Sequence, residues 1–363
     1  MITVIALFSF STDTPAQTDP DSKRTCSPRI ASDDGILKVL LLYDMEGLSG
    51  QNIITSIDFP RPEYFEARKL LTDDVNAAID GFFAGGADSV FVVDAHGSFN
   101  PEPDILLDQM DPRARMLYKN HRFDSYVDLL EDNTFDALAA VGMHSRTGGG
   151  GFAEHTINLG TGWELNGMPL NESEIYAYSW GRIGVPLIFV SGDDKLAEQL
   201  SWMTWLKYVT VKEARGIDDA FLYPLDRVHE EMRSAAKWAV ENIDRMKAVT
   251  LIEPITATLR VVPPADLSIL EGVPGVAYKN QSVTFQAGDF AEAYSGMRTL
   301  MSLGQTGYFN IAAGMIFENQ EMLAEFKNRI FASWREYTRK SESGEMPAEK
   351  ETQKETKLYF GSR

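Results

Sequence analysis

Apolar residues occur in two alternating patterns over residues 38–195. Short continuous apolar runs, such as KVLLLY at residues 38–43, are typical of strands that are covered on both faces of a sheet. Between these runs, apolar residues recur at helical spacing, most clearly over residues 61–84, which are followed by Gly85 and Gly86. Strands that alternate with helices predict an α/β fold with a mostly parallel sheet flanked by helices.

The pattern changes after about residue 195. Amphipathic helices are predicted near residues 224–246 and 289–303, with extended segments between them, which indicates a second α+β lobe. The polar residues 11–35 and the charged C-terminal residues are predicted to be disordered and mobile. We therefore divide the chain into an N-terminal extension (1–35), an α/β metal-binding catalytic domain (36–195), a C-terminal α+β lobe (196–340) and a charged tail (341–363).

Acidic residues follow the first apolar run at its carboxyl end, which is the edge where open α/β sheets bind ligands. Asp44 and Glu46 are two positions apart, so alternation turns both carboxylates to the same side. Two like charges held together are unfavourable unless a cation lies between them. A metal is the simplest such cation, and an acidic turn is the alternative interpretation.

Histidines follow the next two buried runs. Asp94 and His96 repeat the same spacing, so His96 is expected to face the same crevice, with Asp94 as a ligand or as an acceptor that orients the ring. His144 ends a third run in the same way. A lone histidine at a strand end is as often a structural residue. Three strand ends that converge with two carboxylates and two histidines are harder to explain by chance.

Two further candidates lie beyond the third run. Four glycines, residues 148–151, precede His155, and we interpret this segment as the wall of an active site, with a flexible surface loop as the alternative. Asn171 and Glu174 have the spacing of a helix capping box, which gives Glu174 a structural role. Glu172 remains as a candidate ligand or as an acid that compensates the helix dipole.

The amino-acid composition limits the kinds of partner that the protein can bind. Among 363 residues, 53 acidic and 34 basic residues give a net charge of −19, which argues against nucleic acids and anionic membranes and favours cations. Cys26 is the single cysteine, so any metal must be held by His, Asp or Glu. The apolar residues 1–10 could be an export signal but lack its basic residues and cleavage site, so cytoplasmic and exported locations both stay open.

The motifs YDMEGLSG, VVDAHGS, VGMHSRTG, FAEHTI, the NE at residues 171–172 and VPLIFVSGDD occur in this order. Together they resemble the D-aminopeptidase family of zinc peptidases, family M55, from about Lys38 to about Leu303. The resemblance implies a two-lobed α/β protein that assembles into a decamer and cleaves short peptides.

Residue roles follow from the same resemblance. It implies that Asp44 bridges two zinc ions, that Glu46 and His96 complete the shell of one, and that His144 and Glu172 complete the shell of the other. It also implies a direct part for His155 in peptide cleavage. Manganese or cobalt could occupy the same ligands.

Three functions are therefore considered. The first is a dinuclear zinc aminopeptidase for short peptides, including those with D-residues. The second keeps the metals but acts as an amidase or deacylase on a non-peptide amide, and the third is a metal-dependent binding protein without turnover.

Overall fold

The computed structural model describes residues 23–32, 35–119, 123–132, 135–274 and 277–343. Most of the predicted extension and nearly all of the predicted charged tail lie outside these residues. Among the helices in the described ranges, none is long and apolar enough to cross a membrane.

Strands and helices alternate through the first two thirds of the chain. The strands are β1 (Arg24–Pro28), β2 (Lys38–Tyr43), β3 (Ser89–Asp94), β4 (Arg115–Met116), β5 (Ala137–Met143), β6 (Thr161–Leu165), β7 (Met168–Leu170), β8 (Leu187–Asp193), β9 (Lys207–Gly216), β10 (Asp219–Leu222), β11 (Lys247–Leu251), β12 (Ile255–Val261), β13 (Ala277–Lys279) and β14 (Ser282–Ala287). The α-helices are α1 (Pro62–Ala84), α2 (Glu172–Gly181), α3 (Asp194–Leu200), α4 (Leu225–Glu241), α5 (Phe290–Gly304), α6 (Thr306–Glu318) and α7 (Gln320–Glu342).

The central sheet has the strand order β10-β9-β8-β5-β2-β3-β4. All neighbours in it are parallel except β10 and β9, which confirms the prediction of a mostly parallel sheet. Alternate residues of β2 pack into two different cores. Val39 and Leu41 face α1 and α4, whereas Leu40 and Leu42 face α2 and the second sheet. Burial on both faces explains why this strand is a continuous apolar run.

The second sheet is antiparallel, with the order β13-β14-β12-β6-β7, and α5 packs against β12 and β14. This sheet and α5 confirm the prediction of a second part of the fold that mixes helices and strands. The predicted boundary at residue 195 does not separate the two sheets. Strands β6 and β7 precede that residue but join the second sheet, while β9 and β10 follow it but join the first. The division into a catalytic domain (36–195) and a C-terminal lobe (196–340) stays a prediction.

Three local features differ from the predictions. Residues 24–28 were predicted to be disordered, but they form β1, which pairs with β11. The sequence also predicts a helical stretch from about residue 123 to 131, but this part of the chain is a turn followed by a short 3-10 helix, Asp128–Asp132. Helices α6 and α7 were not predicted. The partner of β1 lies more than 200 residues away in the sequence, so its pairing could not be inferred from local pattern.

Candidate metal centre

The loop after β2, residues 44–51, carries two of the predicted ligands and is called the metal loop here. It is pressed against β5, because the Asp44 backbone N–H donates to the Val141 carbonyl (2.8 Å) and the Gly47 N–H donates to the Gly142 carbonyl (2.7 Å). A Cβ at Gly47 would lie 1.9 Å from the Met143 carbonyl oxygen, so only glycine allows this approach. The carboxylates of the metal loop are thereby placed beside the end of β5.

The predicted ligands come together in one buried cluster at the carboxyl edge of the sheet. Their donor atoms form three sets, within each of which the atoms lie within 4.8 Å of one another. The sets are Asp44 with Glu46 and His96, Asp44 with His144 and Glu172, and Glu46 with His144 and His155. All six residues are buried. The first two sets share only Asp44, which is the arrangement that the family resemblance implies for two metal ions.

Each histidine of the cluster is oriented by a backbone carbonyl. His96 donates from Nε2 to Ile57 (2.9 Å), His144 from Nδ1 to Ser145 (3.0 Å) and His155 from Nδ1 to Ala153 (2.9 Å). These hydrogen bonds leave the other ring nitrogen of each histidine to face the carboxylates. Backbone acceptors of this kind fix the tautomer of metal-binding histidines.

The free ring nitrogens lie close to carboxylate oxygens. His96 Nδ1 is 2.7 Å from Asp44 Oδ1, and His144 Nε2 is 3.4 Å from Glu172 Oε1 and 3.6 Å from Asp44 Oδ2. His144 Nε2 is buried and has no hydrogen-bond partner among the described residues. A metal ion would satisfy this nitrogen, and mixed imidazole and carboxylate donors suit zinc. The residues present therefore fit a metal centre.

The pKa shifts of the cluster also fit a bound cation. Burial acts to raise the pKa of the Asp44 carboxyl, but the imidazoles of His144 and His96 outweigh it and hold the pKa well below its usual range. Burial also acts to lower the pKa of both imidazoles. The charge of Glu46 on His96, and the carboxylate of Asp44 beside His144, instead raise these pKa values well above the usual range. The cluster thus favours positive charge at its centre.

Glu172 is held from both sides. Its Oε1 accepts a hydrogen bond from the Ile157 backbone N–H (2.6 Å), and its Oε2 accepts one from the Tyr126 hydroxyl (2.5 Å). The predicted capping box is confirmed, because Asn171 and Glu174 cap α2 reciprocally. Glu174 therefore has the structural role expected of it, and Glu172 is free to face the cluster.

Asp94 differs from the expectation that it binds a metal or orients the ring of His96. Its Oδ1 accepts the backbone N–H of His96 (3.0 Å), and its Oδ2 accepts the backbone N–H of Asp104 (2.9 Å). The ring of His96 is oriented by Ile57 instead. Asp94 therefore shapes the chain at the end of β3. Burial and the nearby charge of Asp104 raise the pKa of its carboxyl well above the usual range.

The four glycines lie beside the site but are not among the described residues that line its cavity. The backbone N–H groups of Gly148 and Gly151 donate to the carboxylate of Glu154 (3.0 and 3.1 Å), which closes the glycine segment on itself. Beyond the glycines, the cavity is lined by His155, Ile157, Asn158 and Leu159. Within the segment that was interpreted as a wall, only His155 therefore lines the cavity.

Two buried charged residues that support the metal loop were missed. Lys212, on β9, donates from Nζ to the carbonyls of Glu46 (2.7 Å) and Gln51 (2.9 Å), and its Nζ lies 4.2 Å from the centre of the Phe152 ring. Burial lowers the pKa of Lys212 to about 7. Lys212 follows the buried Val211 in β9, but the sequence gives no local signal for its role, because the carbonyls that it contacts are 161 and 166 residues away.

Asp74, on α1, is the second such residue. Its carboxylate accepts hydrogen bonds from the backbone N and the Oγ of Ser49 (2.8 and 2.5 Å) and from Nε2 of His229 (2.9 Å). The charged sequence around His229 on α4 predicts a solvated side chain, but this contact makes His229 half-buried. The metal loop is thus held by α1 and β9, and α4 contacts Asp74 from the other side.

Known proteins resemble this chain over most of its length. A sequence profile of peptidase family M55, described as D-aminopeptidase, matches residues 37–299. A D-aminopeptidase from Bacillus subtilis (strain 168) is 25% identical over 279 residues, which cover 75% of this chain and 100% of that protein. The structure is similar to that of the Zn-dependent D-aminopeptidase DppA from Bacillus subtilis, described as a self-compartmentalizing protease. That similarity has a TM-score of 0.66 at 24% identity and covers 74% of this chain and 98% of the other.

Proposed function

This chain belongs to the M55 family of D-aminopeptidases, and on that premise we propose that it is a dinuclear zinc aminopeptidase. It hydrolyses the N-terminal peptide bond of short peptides, including peptides that contain D-amino acids. The observation that carries the proposal is the pair of three-residue donor sets that share only Asp44.

We assign the metal ligands accordingly. Asp44 would be shared by the two ions, Glu46 and His96 would hold one of them with it, and His144 and Glu172 would hold the other. Manganese or cobalt fits the same donors, so zinc is proposed from the donor chemistry and from the zinc dependence of the similar Bacillus enzyme.

Bound zinc would supply a Lewis acid that polarises the scissile carbonyl and makes water a stronger nucleophile. The protein contributes orientation and proton transfer. His155 stacks on His144 with ring centroids 4.1 Å apart, and its Nδ1 is occupied by the Ala153 carbonyl. Its Nε2 faces the cavity, 3.9 Å from Glu46 Oε1, and is the atom that accepts a proton and passes it to the leaving amine.

The three carboxylates of the cluster also bear on specificity. Asp44, Glu46 and Glu172 line one cavity of about 510 Å³. With two zinc ions bound, these carboxylates would be neutralised, so a free α-amino group would be held through its lone pair at the metal site, whereas an acylated nitrogen is a poor donor. Such a preference makes the enzyme an aminopeptidase rather than an endopeptidase.

Metal content and peptide hydrolysis test the proposal together. We expect about two zinc ions per wild-type chain, and we expect Asp44→Ala to lose both zinc and activity, because Asp44 belongs to both shells. Asp73→Ala removes an exposed carboxylate elsewhere and serves as the matched control. The substrates are D-Ala-D-Ala, L-Ala-L-Ala and an acylated amine. Wild-type protein that stays metal-free after incubation with zinc would refute the proposal, and cleavage of only the acylated amine would favour a deacylase.

The role of His155 needs a separate variant, because it also belongs to a possible donor set with Glu46 and His144. If His155 transfers protons, His155→Ala keeps about two zinc ions while kcat falls roughly 100-fold or more. Loss of one zinc ion would make it a ligand, and turnover near the wild-type value would remove it from the mechanism.

We also propose a homo-oligomer, for which the family resemblance implies a decamer. The similar Bacillus protease is described as self-compartmentalizing, which supports assembly. Light scattering on purified protein should give about ten times the mass of one chain, and a monomer would contradict the proposal.

A further inference from the structure

We propose that helix α6 supplies an apolar subsite for the substrate residue that follows the scissile bond. The enzyme would therefore prefer an aromatic or large apolar side chain at that position. This inference rests on the proposed aminopeptidase function and adds the substrate class to it. The residues that carry it are Tyr308 and Phe309, which line the same cavity as the metal cluster.

The cavity changes character from its floor to its mouth. At the floor, Glu46 and Glu172 are 2% and 4% exposed. At the mouth, Leu159 and Phe309 are 57% and 64% exposed, and Tyr308 is half-buried. Ile57 and Ile157 lie on the walls between these two ends. The acidic cluster is therefore enclosed, and the opening is bordered by apolar side chains.

This polarity sets the direction of the substrate. An aminopeptidase needs the N-terminal residue at the metal cluster, where the chain cannot continue, so the rest of the peptide must leave through the mouth. The residue after the scissile bond then meets the apolar border. The described residues that line the cavity include neither lysine nor arginine, so no cation there recognises a C-terminal carboxylate.

Helix α6 is held over the mouth at two points. The Tyr308 hydroxyl donates to the Leu159 carbonyl (2.7 Å), which ties the helix to the loop that follows His155. At Gly307, a Cβ would lie 1.7 Å from the Pro264 carbonyl oxygen, so glycine lets the first turn of α6 seat directly on the backbone of the segment that follows β12. The position of Phe309 therefore follows from packing at the start of the helix.

Helix α6 also lies outside the part of the chain that defines the family. The family profile ends at residue 299, and α6 begins at Thr306. The catalytic cluster lies entirely within the matched residues, whereas this border of the cavity lies beyond them. The apolar subsite is accordingly inferred from the structure of this chain, because the family profile does not extend to it.

Paired substrates test the subsite directly. We would compare kcat/KM for D-Ala-D-Phe-amide and D-Ala-Gly-amide on the full zinc-loaded chain. A partly exposed apolar site should favour the phenylalanine substrate roughly 10-fold. In Phe309→Ala this ratio should fall to about 2, because the exposed Phe309 ring is removed and only Tyr308 of the α6 pair remains at the mouth. Phe317→Ala is the matched control, since Phe317 is an exposed phenylalanine on the same helix but outside the cavity, and its ratio should match the wild type.

A binding measurement separates this inference from the proposed function. Calorimetry with phenylalanine amide and glycine amide, the two leaving products, requires no turnover. Wild-type protein should bind phenylalanine amide roughly 10-fold more tightly, and Phe309→Ala should lose this difference. Selective binding without peptide cleavage would keep the subsite and reject the aminopeptidase. Equal rates and equal binding for both partners in the wild type, or an unchanged preference in Phe309→Ala, would overturn the subsite.

Discussion

Replacement of Asp74 by alanine tests whether the metal loop is held from outside the metal cluster. Asp74 is fully buried, and its carboxylate accepts both the backbone N–H and the hydroxyl of Ser49. Ser49 is itself fully buried and lies three residues after the proposed ligand Glu46. Asp74→Ala therefore leaves two buried donors without their acceptor.

The expected cost follows from these contacts. A buried donor that loses its partner costs about 1–3 kcal/mol, so two of them reduce the free energy of unfolding by about 4 kcal/mol. His229 is partly exposed and can turn to water, so it adds about 1 kcal/mol at most. The freed loop should also weaken zinc binding about 10- to 100-fold, as loss of an outer partner of a metal ligand usually does.

Chemical denaturation in the presence of a chelator measures the free energy of unfolding without any contribution from metal. Competition with a zinc-binding dye measures the zinc affinity. Asp73→Ala is the control, because it removes the neighbouring carboxylate on the exposed side of α1. An Asp74→Ala protein within about 1 kcal/mol of the wild type, with unchanged zinc affinity, would refute the reasoning.

Three further variants test the support of the site. The contact with Asp74 raises the pKa of His229, so its stabilisation is present below the unfolded pKa of about 6.5 and is lost as pH rises through the higher folded value. The difference in Tm between wild type and His229→Gln should therefore be larger at pH 6 than at pH 9, and a difference independent of pH would contradict this. Gly47→Ala should prevent zinc binding at the cluster, because the new Cβ would meet a β5 carbonyl at 1.9 Å; zinc titration with wild-type stoichiometry would show that the loop can shift. Tyr126→Phe removes a hydrogen bond to Glu172 and should lower zinc affinity about 10-fold with the fold intact by circular dichroism. An unchanged zinc affinity in Tyr126→Phe would show that Tyr126 does not support zinc binding.

The sequence by itself determined the central sheet and the composition of the cluster. Continuous apolar runs identified β2, β3, β5 and β8, because strands buried on both faces need apolar residues at every position. The carboxyl ends of neighbouring parallel strands meet at one edge of a sheet, so polar residues after these runs were expected to meet as well. Asp44, Glu46, His96 and His144 do meet there. Their role as metal ligands stays a prediction.

The tertiary structure alone decided what surrounds this cluster. Lys212 and Asp74 hold the metal loop from distant positions in the chain, β1 pairs with β11, and α6 closes over the cavity mouth. Hydrophobic periodicity reports which face of an element is buried but not which distant element covers it. That choice depends on how the elements pack together, and the same packing selects the ring nitrogen that each histidine turns toward the carboxylates.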